Sequence, residues 1–383
     1  MQVAKFGNNA TQVIDSIPWV RCASGNVISS RAAGDSRPES KRGRRGQRLS
    51  LRNSDTSSQS AMAPKLYQLC RDGKLEEVRA ALKRGDNVNS RGSLFKTTAL
   101  MYAIYHNHNQ VVKLLLDDPL LGVNSRNTDG ETALHFAVDY GNLEAVQLLL
   151  ADHRLNSASP VANSGDTPLM RALKTRQNEI LSVLLAHKGI NWDRDTKGRT
   201  AVHIALASNN MEGLELLLGD PSLRGALNAG DHISITPLMS AVMIENRTAQ
   251  MSLLLKHPDI DVNKRFKSGY SVLHYAAYLD RQQELDLLLT ESGDKLDLNL
   301  KEVVAGQTAL HLAVLKRNNV IVKRLLEHPD LDLNCIDLKG NTAMMIATAV
   351  ENFEAMALIL EDDRFTGKCK FPPNSKHVCE LHF

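Results

Sequence analysis

A unit of constant length recurs along most of this sequence, and such a repeat restricts the fold more than any other feature of the chain. The hydroxyl residue in the pattern G-x-T-x-L-H-x-A recurs at separations of 33 to 37 residues, at Thr98, Thr132, Thr167, Thr200, Thr236, Ser271, Thr308 and Thr342. A leucine run follows each of these positions, and an asparagine usually follows the leucines. Each unit is therefore expected to be one small element that buries its apolar face against its neighbours.

The unit around Thr132 predicts two short helices joined by a turn. Thr132 suits a helix N-cap, and apolar residues at i, i+3 and i+4 spacing follow it. Gly141 suits the left-handed conformation that ends such a helix, and Asn142 suits the cap of a second helix over 143–150. Isolated helices shorter than about 12 residues are marginal in water, so the units must be stabilised by stacking.

The motifs TALHFA at Thr132, TALHLA at Thr308, TPLMRA at Thr167 and TPLMSA at Thr236 resemble the ankyrin repeat. The resemblance covers roughly residues 64–363. It implies an all-α solenoid of about nine helix–turn–helix repeats whose connectors form short β-hairpin fingers. It also implies that partner proteins bind a concave groove formed by the finger tips and the exposed ends of the first helices.

The chain divides into three predicted segments. Residues 1–61 are a basic Ser/Arg-rich tail, expected to be disordered, 62–363 are the repeat array, and 364–383 are a C-terminal tail. Within the array, 64–91 is a degenerate first repeat that should act as the N-terminal cap.

The N-terminal tail carries most of the excess positive charge. It holds ten Lys/Arg and four Asp/Glu, whereas the whole chain has 46 and 43. Residues 41–45 read KRGRR, a cluster compatible with nuclear import, with weak binding of nucleic acid or with simple solvation. Met62 directly precedes the array, so the first 61 residues are alternatively an optional extension with translation starting at Met62.

The cysteines indicate a reducing compartment. There are five, an odd number, and they are scattered along the chain. The absence of an apolar run of 18 residues predicts that the chain has no membrane span. Together with the cysteines, it favours a cytoplasmic protein, which would also enter the nucleus if residues 41–45 act as an import signal. Zinc ligand types occur in the C-terminal tail at Cys369, His377, Cys379 and His382, but their spacing fits no familiar zinc motif, and no metal is predicted.

No catalytic constellation stands out in the sequence. Phosphate loops, dinucleotide-binding loops, HExxH and nucleophile-elbow motifs are all absent. His135 recurs as His203, His274 and His311, and methionine takes the same position in the other four copies, so we interpret it as a structural residue. The sequence therefore predicts neither an enzyme nor a site for a cofactor or small-molecule substrate.

Binding residues are expected where the copies differ from one another. The variable positions sit just before the turn between the helices and are rich in tyrosine and apolar residues, which are enriched in interfaces. The predicted partner-binding residues are Tyr105, His106, Asp139, Tyr140, Lys174, Met243, Ile244, Tyr278, Leu279, Leu315 and Lys316. We expect Tyr105, Tyr140 and Tyr278 to be the anchors; the alternative is that these side chains pack against neighbouring fingers.

The predicted function is non-catalytic protein–protein binding by a monomer that acts as an adaptor, scaffold or inhibitor. Two alternatives stay open at this stage. One is a regulator of transcription factors, and the other is a substrate-recognition subunit of an enzyme complex such as a ubiquitin ligase. A repeat array hosts many functions, so the fold does not name the partner.

Overall fold

The computed structural model describes residues 64–93, 95–157, 164–187 and 194–366. Within them lie nine consecutive pairs of antiparallel helices, as the repeat predicts. The pairs are α1 Leu66–Arg71 with α2 Leu75–Lys83, α3 Ala99–Tyr105 with α4 Asn109–Leu116, α5 Ala133–Asp139 with α6 Leu143–Leu150, α7 Pro168–Thr175 with α8 Asn178–Ala186, α9 Ala201–Ala207 with α10 Met211–Leu218, α12 Pro237–Met243 with α13 Thr248–Leu255, α14 Val272–Tyr278 with α15 Gln282–Glu291, α16 Ala309–Lys316 with α17 Asn319–Leu326, and α18 Ala343–Ala349 with α19 Phe353–Leu360. The predicted tails lie mostly outside the described residues.

One extra helix interrupts the regular pattern. After α10, a 3₁₀ turn at Pro221–Leu223 leads into α11, Arg224–Leu227. Leu223 and Leu227 are buried, so the longer connector of this repeat is packed onto the core. The sequence signalled the insertion only as a spacing of 36 residues between Thr200 and Thr236.

The hydroxyl anchors cap the first helices, as predicted. Thr98 has extended backbone angles, and its side-chain oxygen accepts the N–H of Met101 at 3.2 Å. In the copies that carry histidine, the ring adds a second contact, because His135 Nδ1 accepts the N–H of Thr132 at 3.2 Å. Each first helix after α1 therefore begins with a side-chain cap on a free amide group of its first turn.

The helices stack in two layers. First helices contact the first helices of the adjoining repeats, and second helices do the same. A fully buried alanine in every first helix after α1 permits the close approach; these residues are Ala103, Ala137, Ala172, Ala205, Ala241, Ala276, Ala313 and Ala347. The core is therefore a continuous apolar layer that runs along the array.

Most turns between paired helices use a left-handed residue that is not glycine. Gly141 adopts a φ of 66°, as predicted, but Arg176, Arg317 and Glu351 adopt φ angles of 57°, 59° and 55°. An L-residue in this region costs roughly 1–2 kcal/mol. Some of this strain is offset by hydrogen bonds, since the Arg176 guanidinium donates to the carbonyl of Ser208 at 2.7 Å.

The connectors form fingers that contain tight turns instead of the expected β-hairpins. Among the described residues, pairing of the β type is confined to an isolated bridge between Arg91 and Thr98. Successive fingers are joined by single backbone hydrogen bonds, such as Thr128 N–H to Phe95 O at 2.9 Å and Leu338 N–H to Ala305 O at 2.7 Å. The turn-forming carboxylates and amides satisfy the remaining backbone groups, which leaves too few inter-strand bonds for a ladder.

An asparagine ladder ties each connector to the following one. The Asn299 amide donates to the carbonyl of Asp330 at 2.8 Å, and its oxygen accepts the N–H of Asp332 at 2.8 Å. The same pair of bonds recurs at Asn89, Asn124, Asn228, Asn263 and Asn334. At the end of the array, Asn334 reaches Arg364 and Thr366, so the first residues assigned to the C-terminal tail belong structurally to the last repeat.

Candidate functional site

The predicted partner-binding residues lie around the C-terminal ends of the first helices, but they differ widely in exposure. His106 and Tyr140 are exposed, while Tyr105, Asp139 and Lys174 are half-buried. Met243, Ile244, Leu279, Leu315 and Lys316 are also half-buried. The surface is therefore most accessible in the N-terminal half of the array.

An aromatic cluster forms the accessible part of this surface. The rings of Tyr105 and Tyr140 meet edge to face, with centroids 4.5 Å apart and planes at 75°. His106 packs against Tyr105 at 4.7 Å, and Phe136 lies 5.9 Å from Tyr140. Since Tyr140 keeps 42% of its surface exposed, a rigid aromatic face is presented to solvent.

A buried charge network lies beside the aromatic cluster. Arg171 contacts Asp139 at 2.7 Å, Glu131 at 3.2 Å and Asp166 at 3.4 Å, and Lys174 contacts Asp166 at 2.5 Å. Burial opposes the charge of Arg171, but the three carboxylates outweigh burial and raise the pKa of its guanidinium above the usual value.

The network joins the two fingers that carry Glu131 and Asp166 to the helices α5 and α7. Arg171 lies 40 residues from Glu131 and 32 from Asp139. It thereby holds Asp139 at the end of α5, directly before the exposed Tyr140. Sequence reasoning missed the role of Arg171. The signal was an arginine at a position where other copies carry Tyr102, Phe136 or Leu312.

Tyr278, the third expected anchor, is placed differently from the other two. Its side chain is 9% exposed, and the Lys316 amino group lies 4.1 Å above its ring. Most of the surface of Tyr278 is therefore buried by packing within the array. Met243, Leu279 and Leu315 likewise pack against the core.

The repeated histidines form bridges between repeats. Because His135 Nδ1 accepts the Thr132 N–H, the proton sits on Nε2, which donates to the carbonyl of Asp166 at 3.2 Å. His203, His274 and His311 make the corresponding bonds to Ile235, Gln307 and Asn341. Burial lowers the pKa of His135 and His274 to about 4, and burial also lowers the pKa of His203 and His311.

The described parts of the chain present neither a metal-binding cluster nor a membrane-spanning helix. Those residues contain no group of three or more His, Cys, Asp or Glu side chains arranged to hold a metal ion. The cysteine and histidine residues of the C-terminal tail lie outside them. Within the same residues, no helix has the length and apolar character needed to cross a membrane.

Several known proteins are similar in sequence to parts of this chain. The chain is 29% identical to human Rabankyrin-5 over 166 residues, which is 43% of this chain and 14% of that protein. It is 27% identical to the ankyrin repeat domain-containing protein SAT10 of Stachybotrys chartarum over 261 residues, 64% of this chain and 12% of SAT10. It is also 27% identical to the nuclear factor NF-kappa-B p105 subunit of Gallus gallus over 202 residues, 50% of this chain and 19% of that protein. The chain thus spans less than a fifth of the length of each of these relatives.

Most of the residues that form the helix pairs match a family model. The model describes ankyrin repeats and matches residues 66–159, 152–226 and 284–368, together more than half of the chain. Ankyrin repeats generally mediate protein–protein interactions. This chain belongs to the ankyrin repeat family.

Proposed function

We propose that this protein is a non-catalytic adaptor, scaffold or inhibitor that binds a partner protein through the concave surface of its array. This proposal rests on the edge-to-face pair of Tyr105 and Tyr140, which lies at the ends of adjoining first helices and is accessible to solvent through Tyr140. Aromatic side chains of this kind dominate the energetics of many interfaces, because they bury a large area at a low cost in side-chain entropy.

The surroundings of the pair favour a preorganised site. Asp139 is anchored by Arg171 at 2.7 Å, so the backbone that carries Tyr140 is fixed from beneath. A surface that is already ordered loses little conformational entropy on binding. Tyr140 should therefore act as the principal anchor and Tyr105 as its support, while buried Tyr278 contributes less than the sequence suggested.

The fold does not identify the partner. The relatives have unlike names, and each match covers less than a fifth of the relative. We propose that the protein acts as a monomer in the cytoplasm. Regulation of a transcription factor and recognition of substrates for a ubiquitin ligase stay as alternatives that partner identification would decide.

The test compares partners of the full chain with those of the variant Tyr105→Ala/Tyr140→Ala. Proteins captured from cells that express the chain would be quantified by mass spectrometry, with far-UV circular dichroism to confirm folding. Removal of two aromatic anchors should weaken a specific partner by roughly 2–4 kcal/mol, which corresponds to its loss from the captured set.

The matched control is Val320→Ser, which changes an exposed apolar residue on a second helix. It should leave the captured set unchanged. Equal capture by the folded tyrosine variant and the parent would refute the proposal, as would loss of the same partner from the Val320→Ser variant.

A further inference from the structure

The tips of the two fingers that precede α16 and α18 carry exposed apolar side chains. Val303 is 60% exposed, Val304 is 44% exposed and Leu338 is 72% exposed. The equivalent tips in the middle of the array are polar, with Thr128 and Asp129 in one finger and Thr196 and Lys197 in another. We call Val303, Val304 and Leu338 the finger patch.

The three residues of the finger patch belong to one continuous surface. The N–H of Val303 donates to Ser268 O at 3.0 Å, and the N–H of Leu338 donates to Ala305 O at 2.7 Å. A Cβ added at Gly306 would lie 2.9 Å from Leu338 Cγ, so the leucine side chain rests on the preceding finger. Val303 rests on Gly269 in the same way, with its Cγ1 2.9 Å from a Cβ added there.

The finger that presents the two valines is held rigid by a buried carboxylate. Glu302 is almost completely buried, and its oxygens accept the N–H groups of Val304 and Ala305 at 2.6 Å and of Gln307 at 3.1 Å. A hydrophobic collapse of Val303 and Val304 onto the core would break these bonds. Their exposure is therefore built into the turn and costs free energy in the absence of a covering partner.

The exposed charges on the finger turns beside the finger patch are basic. Arg265, Lys267 and Lys301 are exposed and lie at the bases or tips of the fingers that carry or support the patch. We call these three residues the basic rim. The acidic residues within the same fingers, Glu302 and Asp337, are buried and bonded to backbone N–H groups. The exposed acids lie on the incoming part of each connector: Asp261 and Asp297 lie four residues before Arg265 and Lys301, and Asp332 lies six residues before Leu338.

We propose that the finger patch and its basic rim dock an acidic segment of a partner protein that carries aliphatic or aromatic side chains. Apolar side chains of the segment cover Val303, Val304 and Leu338, and its carboxylates face Arg265, Lys267 and Lys301. Burial of three apolar side chains supplies affinity, while the complementary charge speeds association and selects acidic over basic segments. This inference rests on the proposed function and adds a second contact region and the chemistry of the segment it takes.

The test uses peptides selected on the full chain. A phage library of random peptides would be panned, and the Kd of selected fluorescent peptides would be measured by anisotropy. The expected peptides combine Asp or Glu with Leu, Ile, Phe or Trp. The variant Val303→Ser/Val304→Ser/Leu338→Ser should raise the Kd at least ten-fold, and Lys267→Glu/Lys301→Glu should raise it about as much and weaken its salt dependence.

Leu120→Ser is the matched control, because Leu120 is 78% exposed but lies in the connector after α4, five repeats before the connector that carries Val303. It should leave the Kd unchanged. Basic selected peptides, or a Kd insensitive to the finger patch, would overturn the inference. So would loss of a concentration-dependent dimer in the patch variant, which would assign the patch to a second copy of this chain, or selective binding of a dT20 oligonucleotide to the basic rim.

The tyrosine variant separates this inference from the proposed function. Peptides that depend on Tyr105 and Tyr140 but not on the finger patch would refute the docking surface and leave the proposed function standing. Peptides that depend on neither surface would refute both.

Discussion

Acidification should destabilise the array through its buried histidines. His135 and His274 are fully buried, and both rings accept an N–H at Nδ1 and donate from Nε2 to the next repeat. Protonation at Nδ1 would replace that acceptor with a donor facing another donor. The folded state therefore holds both rings neutral, with the pKa of each lowered by burial from 6.5 to about 4.

The sign and size follow from proton linkage. Between the folded pKa of about 4 and the unfolded pKa of 6.5, the unfolded chain binds more protons, so stability is complete above 6.5 and falls as the pH falls. At about pH 5 each of the two histidines should cost about 2 kcal/mol relative to about pH 7.5, or about 4 kcal/mol for the pair. His203 and His311 act in the same direction, because their pKa is lowered by burial as well.

The variant His135→Met/His274→Met tests this reasoning. Methionine fills the same position in Met101, Met170, Met239 and Met345, so the volume is compatible with the fold. The free energy of unfolding in urea would be compared at about pH 7.5 and about pH 5 for both proteins, with hydrogen exchange of α5 and α14 to localise the change. The variant will be less stable at neutral pH because bonds are lost, but it should lose about 4 kcal/mol less on acidification.

The result that would refute the argument is an equal acid-induced loss in the variant and the parent. The ion-paired carboxylates of Asp152 and Asp362 act at lower pH than the histidines. Hydrogen bonds from Arg154 and Arg364 lower the pKa of Asp152 and Asp362, so the stability these contribute is present above the usual carboxyl range and is lost only at lower pH.

Two further perturbations address packing and backbone strain. Arg171→Leu should destabilise the array by about 3–5 kcal/mol, because it leaves buried carboxylates without their cation, whereas Arg324→Leu, which removes a more exposed pair with Asp286, should cost less than about 1 kcal/mol in the same urea titration. Similar losses in the two arginine variants would contradict the buried network. Glu351→Gly should stabilise the last repeat by roughly 0.5–1 kcal/mol, since Glu351 has a φ of 55°, and no gain in thermal midpoint would show that its strain is offset elsewhere.

The regular part of the fold could be predicted from sequence because local rules repeat in every copy. Thr132, its helix and Gly141 satisfy capping, periodicity and turn preferences within a few residues, and those preferences decided the structure. The fingers were less predictable. Their connectors have the length for β-hairpins, but side chains such as Glu302 take the backbone N–H groups that a ladder would use.

The candidate site was predictable only in part, because exposure depends on residues from other repeats. Tyr105 and Tyr278 both end the first helix of their repeat, yet the first is half-buried beside Tyr140 and Lys316 covers the second. Arg171 finds its carboxylates 32 and 40 residues away, a relation that no local pattern contains. Whether the eleven predicted residues contact a partner stays a prediction.

The asparagine ladder has a consequence for folding during synthesis. Asn299 bonds to Asp330 and Asp332, and His135 bonds to Asp166, so both side chains are completed by residues about one repeat later in the chain. During synthesis from the N-terminus, the asparagine and histidine side chains of one repeat can form these hydrogen bonds only after the start of the following repeat has been made. A fragment that ends at the last helix would lack both of these hydrogen bonds of Asn334. A fragment that continues through Thr366 provides the backbone groups that Asn334 binds.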